Sequence, residues 1–317
     1  MFEEVLKGER LALARLLTLV ENDTPKGRAA LNYLFPHTGR AHLVGVTGSP
    51  GTGKSSLVNQ MAKALRASGV EKVGIIAVDP SSPFTGGALL GDRVRMRDLS
   101  GDPGVFIRSM ASRGALGGLS RATASVAQVM DAAGFDVILI ETVGAGQSEV
   151  DIARLAHTVI VVEAPGLGDD IQAIKAGILE IADILVVNKC DLPGAERTAR
   201  ALRAMLEMAH PTRPGPGGGK EIWVPPVLLT CSTGCQPMDE ILEAVAQHKA
   251  FLIASGEWER REKERLDNNL SALLRDTLMQ RWQGRLPPGA YEDVLEKLHA
   301  RELSPFEAVD DLLEDQE

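Results

Sequence analysis

The chain has 317 residues, of which 44% are hydrophobic and 24% charged, and a formal net charge of −9. This length accommodates one large α/β domain with helical additions, or two domains. The negative charge argues against nucleic acid or an anionic membrane as the main partner. No apolar run reaches the roughly 20 residues that cross a bilayer, and the first residues are acidic where a secretory signal is basic. We therefore expect a cytoplasmic protein, with its three cysteines reduced.

The N-terminal segment predicts helices. Apolar residues recur there at helical spacing: Leu6, Leu13, Leu16, Leu17 and Val20. Residues 22–25 (NDTP) break this pattern and start a second helix with a proline in its first turn. We expect residues 1–38 to form a helical extension that is separate from the core.

Residues 39–255 alternate short apolar runs with amphipathic stretches, which is typical of a parallel sheet flanked by helices. Most runs lack alternation with a period of two, as expected for strands covered on both faces. The predicted strands are residues 41–47, 72–78, 105–108, 137–141, 158–163, 184–188 and 227–230. The fold class that we predict is α/β, a P-loop NTPase with a mostly parallel sheet.

Residues 48–55 (GSPGTGKS) follow the first predicted strand and precede a helical pattern. They match GxxxxGK[ST], the phosphate-binding loop of nucleotide triphosphatases. Backbone N–H groups of such a loop surround phosphate oxygens at a helix N-terminus. Lys54 would reach the β- and γ-phosphates and Ser55 would bind Mg²⁺; the alternative is a glycine-rich turn that matches by chance. The candidate phosphate-binding residues are Ser49, Pro50, Gly51, Thr52, Gly53, Lys54, Ser55 and Ser56.

Three acids follow predicted strands or a glycine-rich segment and are candidates for the Mg²⁺ site: Asp79, Asp92 and Glu141. Ligands of open α/β sheets bind at the carboxyl ends of the strands, where such acids meet. Asp79 has an alternative role in a turn, and Asp92 has one as a helix N-cap. Gly144 stands where an amide that senses the γ-phosphate would lie, and Gln147 either orients a water or is a polar surface residue.

Residues 188–191 (NKCD) end the sixth predicted strand and match NKxD. In this motif the aspartate, here Asp191, accepts hydrogen bonds from N1–H and the 2-amino group of guanine, which favours GTP over ATP. An N-cap before Pro193 is the alternative role for Asp191. The remaining candidates for binding the base are Asn188, Lys189, Cys231, Ser232 and Thr233.

Two further segments differ in composition from the rest. Residues 211–226 are rich in proline and glycine and predict a surface loop. Residues 256–317 begin with a run of charges, which predicts either a solvated helix face or an arm for self-association.

Long motifs in this chain resemble those of the MeaB/ArgK family of GTPases, over nearly the whole length. Beyond the phosphate loop they are residues 78–83 (VDPSSP), 86–93 (GGALLGDR), 141–149 (ETVGAGQSE), 188–191 (NKCD) and 248–252 (HKAFL). The chain departs from the family at Cys190, which replaces a small residue, and at the expanded loop 211–226.

The resemblance implies a GTPase of the signal-recognition-particle/MinD class, with helical extensions and a homodimer formed by residues 256–317. It implies GTP hydrolysis that serves an adenosylcobalamin-dependent acyl-CoA mutase, typically methylmalonyl-CoA mutase, with GTP/GDP and Mg²⁺ as cofactors. It assigns Ser55, Asp79, Asp92 and Glu141 to the Mg²⁺ shell. It places a third switch on residues 165–175, where Asp169 and Lys175 become candidates for signalling to the mutase.

Two other functions stay open at this stage. One is a metallochaperone GTPase that delivers nickel or cobalt, but it needs a His/Cys cluster, and the six histidines are scattered along the sequence. The other is a scaffold that binds GTP without turnover. Intrinsic hydrolysis should be slow, since the only candidates for an arginine finger are guesses: Arg93, Arg108 and Arg113.

Overall fold

The computed structural model describes residues 1–79, 97–99, 101–111, 118–142, 148–166, 176–209, 222–232 and 238–314. Two compact units are present, residues 1–266 and 267–317. The second unit begins at Asp267 and not at the predicted residue 256, because the first turns of the long helix that spans this boundary contact the first unit. The expanded loop predicted at residues 211–226 lies mostly outside the described residues.

The first unit is built on a parallel sheet of seven strands in the order β3-β2-β4-β1-β5-β6-β7. Every strand pair is parallel, which confirms the predicted fold class. The strands are β1 His42–Thr47, β2 Val73–Asp79, β3 Val105–Ala111, β4 Val137–Thr142, β5 Thr158–Glu163, β6 Ile184–Val187 and β7 Val227–Leu229. All seven predicted strands are confirmed, with ends that differ by a few residues.

Helices precede, connect and follow these strands. In chain order they are α1 Phe2–Leu6, α2 Arg10–Glu21, α3 Pro25–Leu34, α4 Lys54–Ala67, α5 Gly118–Ala132, α6 Ser148–Leu155, α7 Ala176–Ile181, α8 Ala195–Ala209, α9 Asp239–Ser255, α10 Glu257–Gln283, α11 Ala290–His299 and α12 Pro305–Glu314. Short 3₁₀ turns occupy Phe35–His37 and Arg97–Leu99. Within the described residues, no helix is long and apolar enough to span a membrane.

The N-terminal helices belong to the core, so the prediction of a separate extension is wrong. Leu13, Leu16 and Leu17 of α2 are almost fully buried in the same hydrophobic cluster as Ile76 of β2 and Ile138 of β4. Burying one such leucine contributes about 1.5–3 kcal/mol to folding. The apolar stripe read from the sequence therefore covers one face of the sheet, while α4 and α9 contribute to a cluster with strand residues on the other.

The order of the strands decides where a ligand can bind. The chain runs from β1 outward to β2 and β3, returns to β4, and then crosses β1 to reach β5. At such a reversal the connecting loops diverge and leave a crevice at the carboxyl ends of the strands. The loop from β1 to α4 lies at this crevice, and it is the predicted phosphate loop.

The second unit contains the remainder of α10 together with α11 and α12. Trp282 Nε1 donates a hydrogen bond to the carbonyl oxygen of Leu312 at 3.0 Å. The Trp282 ring also meets the edge of the Tyr291 ring, with centroids 6.5 Å apart. These contacts tie the end of α10 to α11 and α12.

Candidate functional site

The phosphate loop needs glycine at two positions for steric reasons. Gly48 has φ of 134°, and a Cβ there would lie 2.1 Å from the carbonyl oxygen of Val162 on β5. Gly53 has φ of 93°, and a Cβ there would lie 2.4 Å from Asn188 Nδ2. Neither backbone conformation suits an L side chain, and neither site has room for one. The loop is therefore pressed against β5 and the loop after β6.

Lys54 is the first residue of α4, and its side chain is buried in the loop. Its Nζ donates hydrogen bonds to the carbonyl oxygens of Gly48 and Ser49 at 2.9 and 3.0 Å. Thr52 is also buried and donates from Oγ1 to Ser49 O at 2.9 Å, whereas Pro50 is exposed and Ser56 is half-buried in α4. The positive end of the helix and the ammonium group thus meet at one place, which suits an anion.

Two of the predicted magnesium ligands meet directly. Ser55 Oγ donates a hydrogen bond to Glu141 Oε1 at 2.6 Å, and both side chains are buried. At the next residue of β4, Thr142 Oγ1 donates to Thr47 Oγ1 at 3.0 Å. A hydroxyl and a carboxylate beside a phosphate loop are oxygen ligands of the kind that Mg²⁺ prefers, so these residues fit the ion. Asp79 is the last residue of β2, which pairs with β4, and its predicted place at the end of that strand is confirmed.

Asn188 connects the phosphate loop to the loop after β7. Its side chain is fully buried, and Nδ2 donates to the carbonyl oxygen of Thr52 at 2.7 Å. Its Oδ1 accepts a hydrogen bond from the backbone N–H of Ser232 at 3.1 Å. Lys189, which has φ of 56°, donates from Nζ to Gly51 O at 2.7 Å. The NKxD segment therefore lies against the phosphate loop, as its predicted role requires.

Asp191 lies beside the loop after β7. Cys231 Sγ donates a hydrogen bond to Asp191 Oδ1 at 3.1 Å, and Cys190 N donates to Thr230 O at 3.0 Å. Asp191 is exposed and Cys231 is buried. Since α8 begins only at Ala195, Asp191 is not its N-cap. The carboxylate therefore stands next to the segment that sequence reasoning assigned to the base, with its surface open to a ligand.

Several predicted site residues lie outside the described residues: Asp92, Gly144, Gln147, Asp169, Lys175 and Thr233. The same holds for Arg93 and Arg113. Arg108, the third guess for an arginine finger, lies on β3 and is paired with Glu21 of α2, with a hydrogen bond from Nε to Oε2 at 3.1 Å. Arg108 therefore holds an N-terminal helix to the sheet.

Comparison with known proteins decides the family. The family model described as "Methylmalonyl Co-A mutase-associated GTPase MeaB" matches residues 13–286. The chain belongs to the MeaB family. A relative from Pyrococcus horikoshii is 46% identical over 314 residues, which cover 99% of this chain and 96% of that protein. The mitochondrial methylmalonic aciduria type A homolog of Caenorhabditis elegans is 31% identical over 300 residues, covering 89% of this chain and 73% of its own.

Among solved structures, this MeaB-family chain is similar to the crystal structure of an LAO/AO transport system kinase. The TM-score is 0.70 and the identity 31%, over 99% of this chain and 95% of that one. Together with the parallel sheet and the phosphate loop, these findings confirm that the chain is a P-loop GTPase. It binds GTP and hydrolyses it to GDP.

The MeaB-family fold also gathers a polar cluster that sequence reasoning missed, at the opposite end of the sheet. Three histidines taken as scattered, His42, His157 and His248, are all buried there. Thr158 Oγ1 lies 2.8 Å from both His42 Nε2 and His248 Nδ1. Trp258 of α10 stacks on His157 with ring centroids 4.0 Å apart. The sequence feature that points to this cluster is that His42, His157 and Thr158 all stand at the starts of strands.

Asp183 is the anion of this cluster. It precedes β6 and accepts hydrogen bonds from Val159 N at 2.8 Å and from both terminal nitrogens of Arg261, each at 2.8 Å. His248 Nε2 lies 3.2 Å from Asp183 Oδ1. Burial alone would raise the pKa of Asp183, but the hydrogen bonds from His248 and Arg261 outweigh it and leave the pKa below its usual value. Asp183 thus fastens the start of α10 to the sheet.

His157 is held in its neutral form. Its Nδ1 accepts a hydrogen bond from the backbone N–H of Leu43 at 3.0 Å, so the proton is on Nε2, which lies 3.1 Å from Glu262 Oε2. Burial lowers the pKa of His157 in spite of Glu262, and burial likewise lowers that of His42. For Glu262, hydrogen bonds from His157 and Arg265 outweigh burial and lower the pKa to about 2.

These contacts bear on the metallochaperone alternative. Both nitrogens of His157, Nδ1 of His248 and Nε2 of His42 are hydrogen-bonded to protein groups, and His248 Nε2 lies close to the carboxylate of Asp183. In the part of the chain that the structure describes, no group of three or more His, Cys, Asp or Glu side chains is placed to hold a metal ion. The histidines that the fold brings together therefore serve the packing of α10, and no observation on the described residues favours delivery of nickel or cobalt.

Proposed function

We propose that this GTPase is a cytoplasmic chaperone that couples its nucleotide state to cofactor loading, protection or reactivation of an adenosylcobalamin-dependent acyl-CoA mutase of the methylmalonyl-CoA mutase type. The observation that carries the proposal is the match over residues 13–286 to a family named for its association with that mutase. The name of the C. elegans relative, a methylmalonic aciduria homolog, points the same way. The acidic balance of the chain agrees with a protein partner, not nucleic acid or a membrane.

The phosphates are held by residues 49–56. Lys54 is poised to exchange its two carbonyl partners for β- and γ-phosphate oxygens, which are stronger acceptors. Because the ammonium group is already buried, its charge acts in a low dielectric on the negative charge that develops in the transition state. Lys54 is therefore the catalytic residue that the described geometry supports best, acting while water attacks the γ-phosphate in line.

The metal site is built on Ser55 and Glu141, whose oxygens meet at 2.6 Å beside the phosphate loop. These oxygens would hold Mg²⁺, which would supply positive charge next to the phosphates. Asp79, which ends β2, and Asp92, which lies outside the described residues, are the two further acids that we propose for this shell. Ser55 has one more role, since its N–H lies in the first turn of α4, where backbone donors are open to a phosphate.

Guanine is read by Asp191, with Asn188, Lys189, Cys231, Ser232 and Thr233 forming the surroundings of the base. The contacts from Asn188 to Thr52 and from Ser232 to Asn188 support this assignment, because they join the proposed base site to the phosphate loop. A test is Asp191→Asn. Xanthine carries a carbonyl at C2 where guanine has an amine, so an amide at residue 191 should weaken GDP binding and strengthen xanthosine diphosphate binding.

The nucleotide state reaches the mutase through the switch residues. Gly144 and Gln147 follow β4, which ends at the metal site, and Asp169 and Lys175 follow β5, against which the phosphate loop is pressed. The segments after both strands therefore start beside the proposed nucleotide site, which suits switches that respond to the γ-phosphate.

We also propose a homodimer formed through α10. The structure describes every residue of this helix, and none is buried. Leu270, Leu274 and Leu278 recur at helical spacing, each with more than half of its surface exposed. Such an apolar stripe is unusual on a solvated helix and is typical of a self-association surface. Leu274→Glu should convert the dimer into a monomer, which light scattering after size exclusion measures.

The experiment for the chaperone role combines the purified chain with a cobalamin-dependent methylmalonyl-CoA mutase. We expect a complex by size exclusion and faster GTP turnover in the presence of the mutase, because slow intrinsic hydrolysis leaves room for stimulation. The control is Lys54→Ala, which should still bind the mutase but show no stimulated turnover. If no complex forms with GDP or GTP and turnover does not change, the chaperone role is wrong while the GTPase stands.

A further inference from the structure

The thiol of Cys231 contacts the carboxylate that is proposed to read guanine. Cys231 Sγ donates to Asp191 Oδ1 at 3.1 Å. Only 8% of Cys231 is exposed, whereas Asp191 is an exposed side chain. We propose that Cys231 is a positioning residue that orients Asp191 for guanine, an inference that rests on the proposed role of Asp191.

Orientation matters because guanine presents two donors, N1–H and the 2-amino group, in the plane of one ring. Asp191 satisfies both only when its two oxygens lie in that plane. An exposed carboxylate otherwise samples several rotamers, and fixing it on binding costs free energy. Each carboxylate oxygen has two lone-pair sites, so Oδ1 can accept from the thiol and from guanine at once. The contact therefore prepares Asp191 without occupying it.

The backbone holds the two loops together without help from this thiol. Cys190 N donates to Thr230 O at 3.0 Å, and Thr230 N donates to Val187 O at 2.9 Å. Ser232 N donates to Asn188 Oδ1 at 3.1 Å. Replacing the side chain of Cys231 should therefore leave both loops in place. The effect of a substitution then reports on Asp191 and not on the fold.

The test compares Cys231→Ala with Cys231→Ser in the full-length chain. Alanine removes the donor, and we expect GDP binding to weaken about threefold to tenfold, the range for losing one typical intramolecular hydrogen bond. Serine keeps a donor and should restore affinity close to that of the unchanged protein. Isothermal calorimetry measures the affinity of each variant for GDP.

A second nucleotide separates orientation from general weakening. Inosine diphosphate lacks the 2-amino group, so the unchanged protein should prefer GDP over it. Cys231→Ala should reduce this preference, because a misoriented carboxylate no longer engages both donors. The melting temperature without nucleotide should stay unchanged in both variants, which checks that neither acts through the fold.

Two outcomes would overturn the inference. One is a Cys231→Ala variant with unchanged GDP affinity and unchanged preference over inosine diphosphate. The other is a Cys231→Ser variant as impaired as Cys231→Ala, since the role would then be packing. Asp191→Asn distinguishes the guanine assignment of Asp191 from the positioning role of Cys231. If this variant does not shift the preference towards xanthine, the guanine assignment itself is wrong. If it shifts the preference while Cys231→Ala has no effect, only the positioning role falls.

Discussion

The two ends of the sheet both bury polar groups, but they use them in opposite ways. At the carboxyl ends of the strands, Lys54 is paired with backbone carbonyls and Ser55 with Glu141. At the amino ends, Asp183 is surrounded by an arginine, a histidine and a backbone N–H. A phosphate can replace the carbonyl partners of Lys54 as the acceptor, whereas Asp183 already accepts its hydrogen bonds from protein donors. A buried charged group therefore indicates a binding site only where a ligand can replace its protein partners.

The sharpest test of this contrast is the removal of the buried anion, Asp183→Ala. It leaves Arg261 without its carboxylate, and we expect a loss of about 3–5 kcal/mol in the free energy of unfolding. Because Asp183 lies at the end away from the nucleotide, GDP affinity of the folded protein should not change. Urea unfolding and calorimetry measure the two. The control is Glu264→Ala, an exposed acid paired with Arg260, which should cost within about 0.5 kcal/mol.

The converse change is Lys54→Ala at the nucleotide end. Loss of one preorganised charge at the transferred group should lower the rate of GTP hydrolysis about 100-fold to 1,000-fold. The loss of stability should be smaller than that of Asp183→Ala, because these two hydrogen bonds of the ammonium group stay within its own loop. Phosphate release and thermal unfolding measure the two. A variant that melts far lower would show that Lys54 also serves the fold, which contradicts the contrast.

Asn188→Ala tests a residue that both stabilises the fold and supports the proposed nucleotide site. Its side chain satisfies Thr52 O and Ser232 N, so its loss leaves buried groups unpaired and should cost about 1–3 kcal/mol in unfolding free energy. GDP affinity should fall as well, since the phosphate and base loops lose their connection. Asn22→Ala, which removes an exposed hydrogen bond to Thr18 O, is the matched control and should do neither.

The smallest effect is on the pH dependence of stability. The folded pKa values of His42 and His157 lie below the ordinary 6.5, so the unfolded chain binds more protons as the pH falls below that value. Stability should therefore decrease with acidification, by at most about 1.4 kcal/mol per pH unit for each histidine. Glu262, with a pKa of about 2 against an ordinary 4.5, adds to the loss between these values.

Urea titrations at pH 8, 7, 6 and 5 measure this slope. His157→Gln should flatten it, because one of the two histidines with a lowered pKa is gone. His37→Asn, at an exposed histidine, should leave the slope as it is. A slope that is unaffected by His157→Gln would show that the acid sensitivity arises elsewhere.

Sequence patterns predicted the nucleotide end better than the opposite end, for a physical reason. A phosphate loop and NKxD are local, since adjacent residues supply the glycines, the lysine and the helix start in one stretch, and each strand was visible as an apolar run. The contact between Ser55 and Glu141 also followed from the sheet, because parallel strands align their carboxyl ends.

The histidine cluster could not be found in this way. His42, His157 and His248 are brought together by strand order and by the packing of α9 and α10, neither of which a local pattern encodes. The same applies to α2, whose apolar stripe predicted a helix but not the face of the sheet that it covers. Cys231 was assigned to the base, but its bond to Asp191 depended on the register of β6 and β7.

The two hydrogen bonds of the Asn188 side chain have a consequence for the binding of ligands shorter than GDP. Because one buried amide ties the phosphate loop to the base loop, the spacing between the two binding surfaces is fixed. A ligand that contacts both surfaces gains affinity, because binding of one part holds the other part at a high effective concentration next to its own surface. Guanosine monophosphate and pyrophosphate each engage one surface and forgo that advantage. Even when both fragments are added together, they should bind far more weakly than GDP. The affinity of the protein therefore depends on a nucleotide long enough to reach both surfaces.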